Sequence, residues 1–244
     1  MKTWQISVKL NNVRKTFGTK TALDISSCDI HPGEIIGLVG NNGAGKTTLF
    51  RIILDLLKVD KNGSVFINDY NTAKCEDWKD ITGAYIDNGF LIDYLTPDEF
   101  FSFIGKINDI DNEEMNKQLK ILENFLGNEI LGQNKLLRNL SAGNQQKVGI
   151  AAAMLHTPGL LILDEPFNFL DPSSQVTMKR LLADYNKETG ATILFSSHNI
   201  SHTLDICSRV ILLEQGKIIK DLACTPDNNR QVMSEIEDYF EYHA

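Results

Sequence analysis

The stretch Gly40-Asn41-Asn42-Gly43-Ala44-Gly45-Lys46-Thr47 constrains this chain more than any other, because the pattern G-x-x-x-x-G-K-[ST] admits few local structures. Before it, Glu34-Ile35-Ile36-Gly37-Leu38-Val39 is an apolar run of strand length; after it, residues 48–57 continue without a breaker as a helix. Strand, glycine-rich loop and helix start together make a phosphate cradle. The glycines let a phosphate chain approach the backbone. The amides of Asn41, Gly43, Ala44, Gly45 and Thr48, with the open helix end, supply donors and partial positive charge. Lys46 is placed to reach the β- and γ-phosphates, and the Thr47 hydroxyl to take one position on Mg²⁺.

A second constellation is the apolar strand Leu160-Leu161-Ile162-Leu163, which delivers Asp164 and Glu165 at its C-terminal end, where parallel sheets bind ligands. A strand points successive side chains in opposite directions unless it has already ended, so the two acids are expected to do different work. Asp164 suits a Mg²⁺-holding role, through water. Glu165 suits the general base that deprotonates an attacking water, worth about 10²–10⁴ in rate.

The rest of the chain builds a frame around these two runs. Apolar residues alternate from Ile6 to Ile30 as antiparallel strands, broken by the turn-like Phe17-Gly18-Thr19. Phe17 is an aromatic on which a purine could stack, or a core residue. Val65-Phe66-Ile67-Asn68 reads as a short strand after a Lys61-Asn62-Gly63 turn. Helical patterns over 97–107 and 114–126 predict a helical subdomain, about 81–140, inserted into an α/β core of about 1–80 and 141–225. Strands then alternate with helices at 160–163, after Pro172, at 192–196 and at 210–213, which implies a parallel sheet. Residues 226–244 form an acidic C-terminal helix whose charges are read as a solvated face.

Charge and composition exclude several partners. A net charge of −8 and a pI near 5.1 leave no basic footprint for nucleic acid and no attraction to an anionic bilayer. The longest apolar stretch, Val148 to Leu155, is far short of the roughly 20 residues of a spanning helix, and Met1–Gln5 carries no secretory signal. Cys28, Cys75, Cys207 and Cys224 are scattered, as packing thiols in a reducing cytosol are.

Leu140-Ser141-Ala142-Gly143-Asn144-Gln145-Gln146 precedes an alanine-rich helix, with Ser141 as a good N-cap. With this run in place the chain resembles an ATP-binding cassette (ABC) transporter ATPase subunit, from about residue 6 to 222. Gly40–Thr48 matches the Walker A segment, Leu140–Gln146 the signature, and Leu160–Glu165 Walker B. Phe169-Leu170-Asp171-Pro172 matches the D-loop, and Ser196-Ser197-His198 the switch-histidine loop. Phe17 falls where the family places its adenine-stacking aromatic.

The resemblance implies a P-loop NTPase core with a mixed or parallel sheet, an N-terminal antiparallel β subdomain and an inserted helical subdomain. It implies two cassettes paired head to tail, each ATP lying between the Walker motifs of one and the signature of the other. Ser141, Gly143 and Asn144 would then meet the γ-phosphate in trans, His198 in cis, and Asp171 would couple the two sites. The partners implied are a second cassette, identical or different, and transmembrane permease subunits that hold the protein at the inner face of the cell membrane.

Two departures stand out. Ala142 and Asn144 replace the commoner glycine and glutamine of the signature, and Ala142 needs a negative φ to avoid strain. Where the family has a glutamine that touches Mg²⁺, the best register over Gly83–Gly89 places Asp87, with Asn88 as the alternative. That acid, with Leu95-Thr96 following, resembles the drug and peptide-antibiotic exporter branch. Residues Asp87 to Phe103 are the expected docking surface for the permease, with Phe90, Phe100, Phe101 and Phe103 mostly in the subdomain core.

The rival classes are a soluble ATP-gated clamp, a GTPase and a non-hydrolysing binder. Neither the second cassette of ribosome-type clamps nor the long coiled-coil insertion of DNA-end clamps is seen in this sequence. The string nearest a guanine reader, Asn134-Lys135-Leu136-Leu137, lacks the aspartate. Glu165 argues against a dead site.

Overall fold

A computed structural model describes residues 3–60 and 62–243. Strands β1 (Val8–Phe17) and β2 (Lys20–Ile30) form a long antiparallel hairpin, followed by β3 (Ile35–Val39) and helix α1 (Lys46–Ile53). Strands β4 (Ser64–Ile67) and β5 (Tyr70–Asn71) complete an antiparallel sheet in the order β2-β1-β4-β5. Residues 81–140, expected to be helical, open instead with a strand, β6 (Thr82–Tyr85), before α2 (Pro97–Ile107) and α3 (Asn112–Leu126). Then come α4 (Ala142–Met154), β7 (Leu160–Leu163), α5 (Pro172–Thr189), β8 (Thr192–Ser197) and α6 (Ile200–Leu204). Strands β9 (Arg209–Glu214) and β10 (Lys217–Ala223) and helix α7 (Asn229–His243) end the chain.

The second sheet runs β10-β9-β3-β8-β7-β6, parallel throughout except for β10. Its strands β3, β7, β8 and β9 are buried on both faces, and alternation along each strand sorts its side chains into two cores. Ile36, Leu38, Leu160, Ile162, Leu194 and Ile211 face the antiparallel sheet and enclose α1 through Phe50, Ile52 and Ile53. Val39, Leu161, Leu163, Phe195, Val210 and Leu212 face the other way, onto α4, α5 and α7. Helix α1 is therefore wedged between two sheets, so the loop that precedes it is fixed by the surrounding core.

The helical insert is well capped. Thr96 and Glu99 form a reciprocal capping box at α2, and Asp111 accepts from the Glu114 amide at α3. Two of its aromatics depart from expectation: Phe100 and Phe101 are buried, whereas Phe90 and Phe103 are 57% and 42% exposed. Phe90 lies in a short 3₁₀ turn, and Phe103 sits on the solvent side of α2. Helix α7 does more than present acids to water. Val232 and Ile236 are buried in the core, while Glu235 pairs with Lys220.

Candidate functional site

Sheet order explains the site. Strands β3, β8 and β7 lie side by side and parallel, so their C-terminal ends release the glycine loop, the Ser197–His198 turn and Asp164–Glu165 along one edge. The pairing Leu163↔Phe195 sets Asp164 beside Ser196.

Gly43 and Gly45 hold φ of +84° and +113°, backbone that L side chains rarely adopt, and Gly45 is the N-cap from which α1 begins. Lys46 is buried, and its Nζ donates to the Gly40 carbonyl at 2.7 Å and lies 3.4 Å from Glu165 Oε1. The Thr47 hydroxyl donates to Asp164 Oδ2 at 2.5 Å, and Ser196 Oγ donates to Asp164 Oδ1 at 2.5 Å. Ser196 Oγ also accepts from the Glu165 amide at 2.8 Å. One hydroxyl thus orders both acids.

β7 ends at Leu163, and Glu165 stands at φ +48°, so the two carboxylates are separated by a backbone turn instead of by strand alternation. Asp164 turns to the hydroxyls, and Glu165 turns to Lys46 and His198. His198 Nδ1 lies 2.9 Å from Glu165 Oε2, and because a carboxylate accepts, that nitrogen carries the proton. Burial raises the Asp164 carboxyl above its ordinary value despite the Ser196 and Thr47 hydroxyls that pull it down. A hydroxyl and a carboxylate are hard oxygen donors, and among the described residues no cluster of three His, Cys, Asp or Glu forms a protein cage. This donor set fits Mg²⁺, which takes few protein ligands and completes its shell with phosphate oxygens and water.

The other expected residues lie apart from this cluster. Phe17 is 51% exposed at the end of β1, with Lys15 Nζ 5.4 Å from its ring centre. Ser141 caps α4, its hydroxyl accepting from the Asn144 amide, and Asn144 Nδ2 donates to Glu129. Ala142 is the first residue of α4 and has no positive φ, so that departure costs no strain. Gly143 must be small, since a Cβ there would meet the Phe169 carbonyl at 2.5 Å. Among the described residues no hydrogen bond or ion pair joins Ser141, Gly143 or Asn144 to Lys46, Thr47 or Asp164. Asp171 caps α5, and the hydroxyls and amides of Ser173 and Ser174 hold its carboxyl far below the usual range. Asp87 faces Arg51 Nη2 at 3.1 Å and accepts from the Gly89 amide at 2.8 Å. The side chain of Asn88, the alternative at that position, lies outside the described residues.

Three supporting residues are given no role of their own by the sequence. Ser196 and Gln146 enter only as members of the switch-histidine and signature runs, and Arg51 reads as a surface cation of α1. Gln146 Nε2 donates to the Pro166 carbonyl at 2.6 Å and to the Glu165 carbonyl at 3.2 Å, tying α4 to the acid loop. Gln146→Leu should cost about 1–3 kcal/mol, because it strands a buried carbonyl. Urea denaturation checks this: a midpoint equal to the parent's would show that the bond carries nothing.

The ABC transporter family model matches residues 23–168. The tungstate uptake system ATP-binding protein TupC of Peptoclostridium acidaminophilum is 33% identical over 215 residues, 87% of this chain and 97% of that one. The probable sulfate/thiosulfate import ATP-binding protein CysA of Chlorella vulgaris is 30% identical, over 88% of this chain and 90% of that one. Among solved structures, the dimeric post-hydrolysis state of the ATP-binding cassette MJ0796 bound to ADP and Pi superimposes with a TM-score of 0.80 at 28% identity, covering 89% of this chain and 99% of that one. These two relatives are named as uptake and import proteins, so the exporter resemblance of residues 83–96 finds no support in them. Five ordered motifs, a glycine loop closed onto paired acids and these likenesses agree: the chain belongs to the ABC transporter family, as one of its ATP-binding ATPase subunits.

Proposed function

We propose that two copies of this cassette, or this one and a related one, close head to tail on ATP and hydrolyse it to drive transport through separate membrane-spanning subunits. The observation that carries this reading is the convergence of Lys46, Thr47, Asp164, Glu165 and His198 from three parallel strand ends. In this reading Lys46 and the amides of Asn41, Gly43, Ala44, Gly45 and Thr48 hold the phosphates, and Phe17 offers its free face to the adenine. Mg²⁺, held by Thr47 and Asp164, would supply positive charge to the phosphoryl oxygens when bound, while Asp87 has one oxygen on Arg51 and the other on the Gly89 amide. Glu165 takes the proton of the attacking water, and His198 orients that carboxylate through its Nδ1 hydrogen bond.

Among the described residues Ser141, Gly143 and Asn144 make no hydrogen bond to their own chain's Lys46, Thr47 or Asp164, which suits donors that complete a neighbour's site. Asp171, exposed beside them on the cap of α5, would link the two sites. No helix among the described residues is long and apolar enough to cross a membrane, and in this reading the pore is formed by separate membrane-spanning subunits. The exposed Phe90, Tyr94 and Phe103 mark the face that would meet it, on the cytoplasmic side. The transporter names of the relatives disfavour the clamp reading. Export rests only on the motif style around Asp87.

Affinity capture of the tagged protein from native membranes tests this reading. A co-purifying membrane-spanning subunit that stimulates Mg²⁺-dependent phosphate release is the expected result. Capture of soluble partners alone would overturn it. With the complex in inverted vesicles, ATP-driven accumulation inside would mean export, and ATP-driven loss would mean uptake.

A further inference from the structure

Residues 85–87 leave the core sheet and touch three functional elements in succession. The Tyr85 carbonyl accepts from the Asp164 amide at 2.8 Å, and the Tyr85 ring fills the space over Gly149 of α4, where a Cβ would meet its Cε2 at 2.3 Å. Ile86 is buried in the cluster that holds Leu49, Phe50, Ile52 and Ile53 of α1. Asp87 then reaches Arg51 on the same helix, Nη2 to Oδ2 3.1 Å, while its other oxygen is fixed by the Gly89 amide. The helix that begins on Lys46 and Thr47 therefore carries, one turn on, the cation that holds Asp87.

We infer that Arg51 is a positioning residue: it neutralises Asp87 and fixes the 85–89 loop against α1, so that an acid is tolerated beside bound phosphates. This rests on the proposed ATP site. An uncompensated carboxylate near a triphosphate repels it, with an energy that water and salt reduce. The guanidinium meets Asp87 through Nη2 alone, and a lysine there would carry its charge as a strongly hydrated point on a flexible stem. Both groups are about half exposed, so the pair contributes little to folding. Its effect is on the charge and pose that the nucleotide meets.

The sign of this effect separates it from a packing role. Arg51→Ala leaves Asp87 charged and unclamped, so ATP should bind about fivefold more weakly and turn over about fivefold more slowly, a size ordinary for one coupled charge pair. Removing the acid as well, in Arg51→Ala/Asp87→Asn, should recover most of the binding loss, so the double variant outperforms the single one. Arg51→Lys should lie between parent and Arg51→Ala. The binding defect of Arg51→Ala should shrink as salt rises from about 0.05 to 0.5 M, since screening replaces the lost cation. Equilibrium titration with a fluorescent ATP analogue reads binding separately from turnover, and thermal melting confirms that each variant folds.

If the Arg51→Ala and Asp87→Asn effects simply add, or Arg51→Ala matches the parent while Glu165→Gln is inactive, the pair does not act this way and the proposal is overturned alone. A parent chain that binds no ATP overturns the site reading, and the pair with it. A salt-independent loss in Arg51→Ala that Asp87→Asn does not repair would assign Arg51 to packing, against the proposal.

Discussion

Lys46→Ala is expected to leave no ATP turnover above about 10⁻²–10⁻³ of the parent rate, the scale on which loss of one preorganised donor to developing phosphate charge acts. The side chain is buried against the Gly40 carbonyl and within 3.4 Å of Glu165, so its loss removes the cation that the loop itself provides. Binding should weaken as well, because the β- and γ-phosphates lose their charged partner while the amides around Gly43 and Gly45 remain. The fold should survive: the apolar side of α1, from Leu49 to Ile53, is what wedges it between the sheets. Phosphate release and fluorescent-nucleotide titration measure the two effects separately. Turnover at the parent rate would contradict the role given to Lys46.

Glu165→Gln should cost about 10²–10⁴ in turnover and yet preserve ATP binding. Glutamine keeps the shape and one acceptor for His198 Nδ1, but it cannot take a proton from water. The 2.8 Å bond from the Glu165 amide to Ser196 is a backbone contact and is unaffected. Hydrolysis stalls while the phosphate-gripping groups stay in place, so the ATP-bound pair should accumulate. Light scattering with ATP and Mg²⁺ should then report twice the 27.4 kDa of one chain. A variant that remains monomeric at saturating ATP would count against a shared site.

Much of this site was legible because each part is local. The glycine spacing around Lys46, the apolar run that ends in Asp164 and Glu165 and the serine ahead of α4 each announce their role within about ten residues. What could not be read is what meets what. Ser196 orders both acids only because β8 lies between β3 and β7 in parallel register, and no local pattern states that order. Arg51 looks like an ordinary surface cation until Asp87, 36 positions later, is folded against it. The left-handed backbone at Glu165 is likewise a product of tertiary structure, for glutamate has no preference for it.

The insert was read less well for a similar reason. Phe90, Phe100, Phe101 and Phe103 are identical in type, so no local signal separates the buried pair from the exposed one. Phe100 and Phe101 face the core, Phe103 lies on the solvent side of α2, and Phe90 lies outside that helix in a 3₁₀ turn. Helix α7 carries both an acidic face and the apolar Val232 and Ile236, so its charges drew attention from the side that docks.

The most direct measurement is a structure of the Glu165→Gln chain with ATP and Mg²⁺. Each γ-phosphate should lie within about 3 Å of Lys46 from one copy and of Ser141 and Gly143 from the other. ATP gripped by a single chain, with the Ser141 of every neighbour remote from the phosphates, would contradict the shared site on which this mechanism stands.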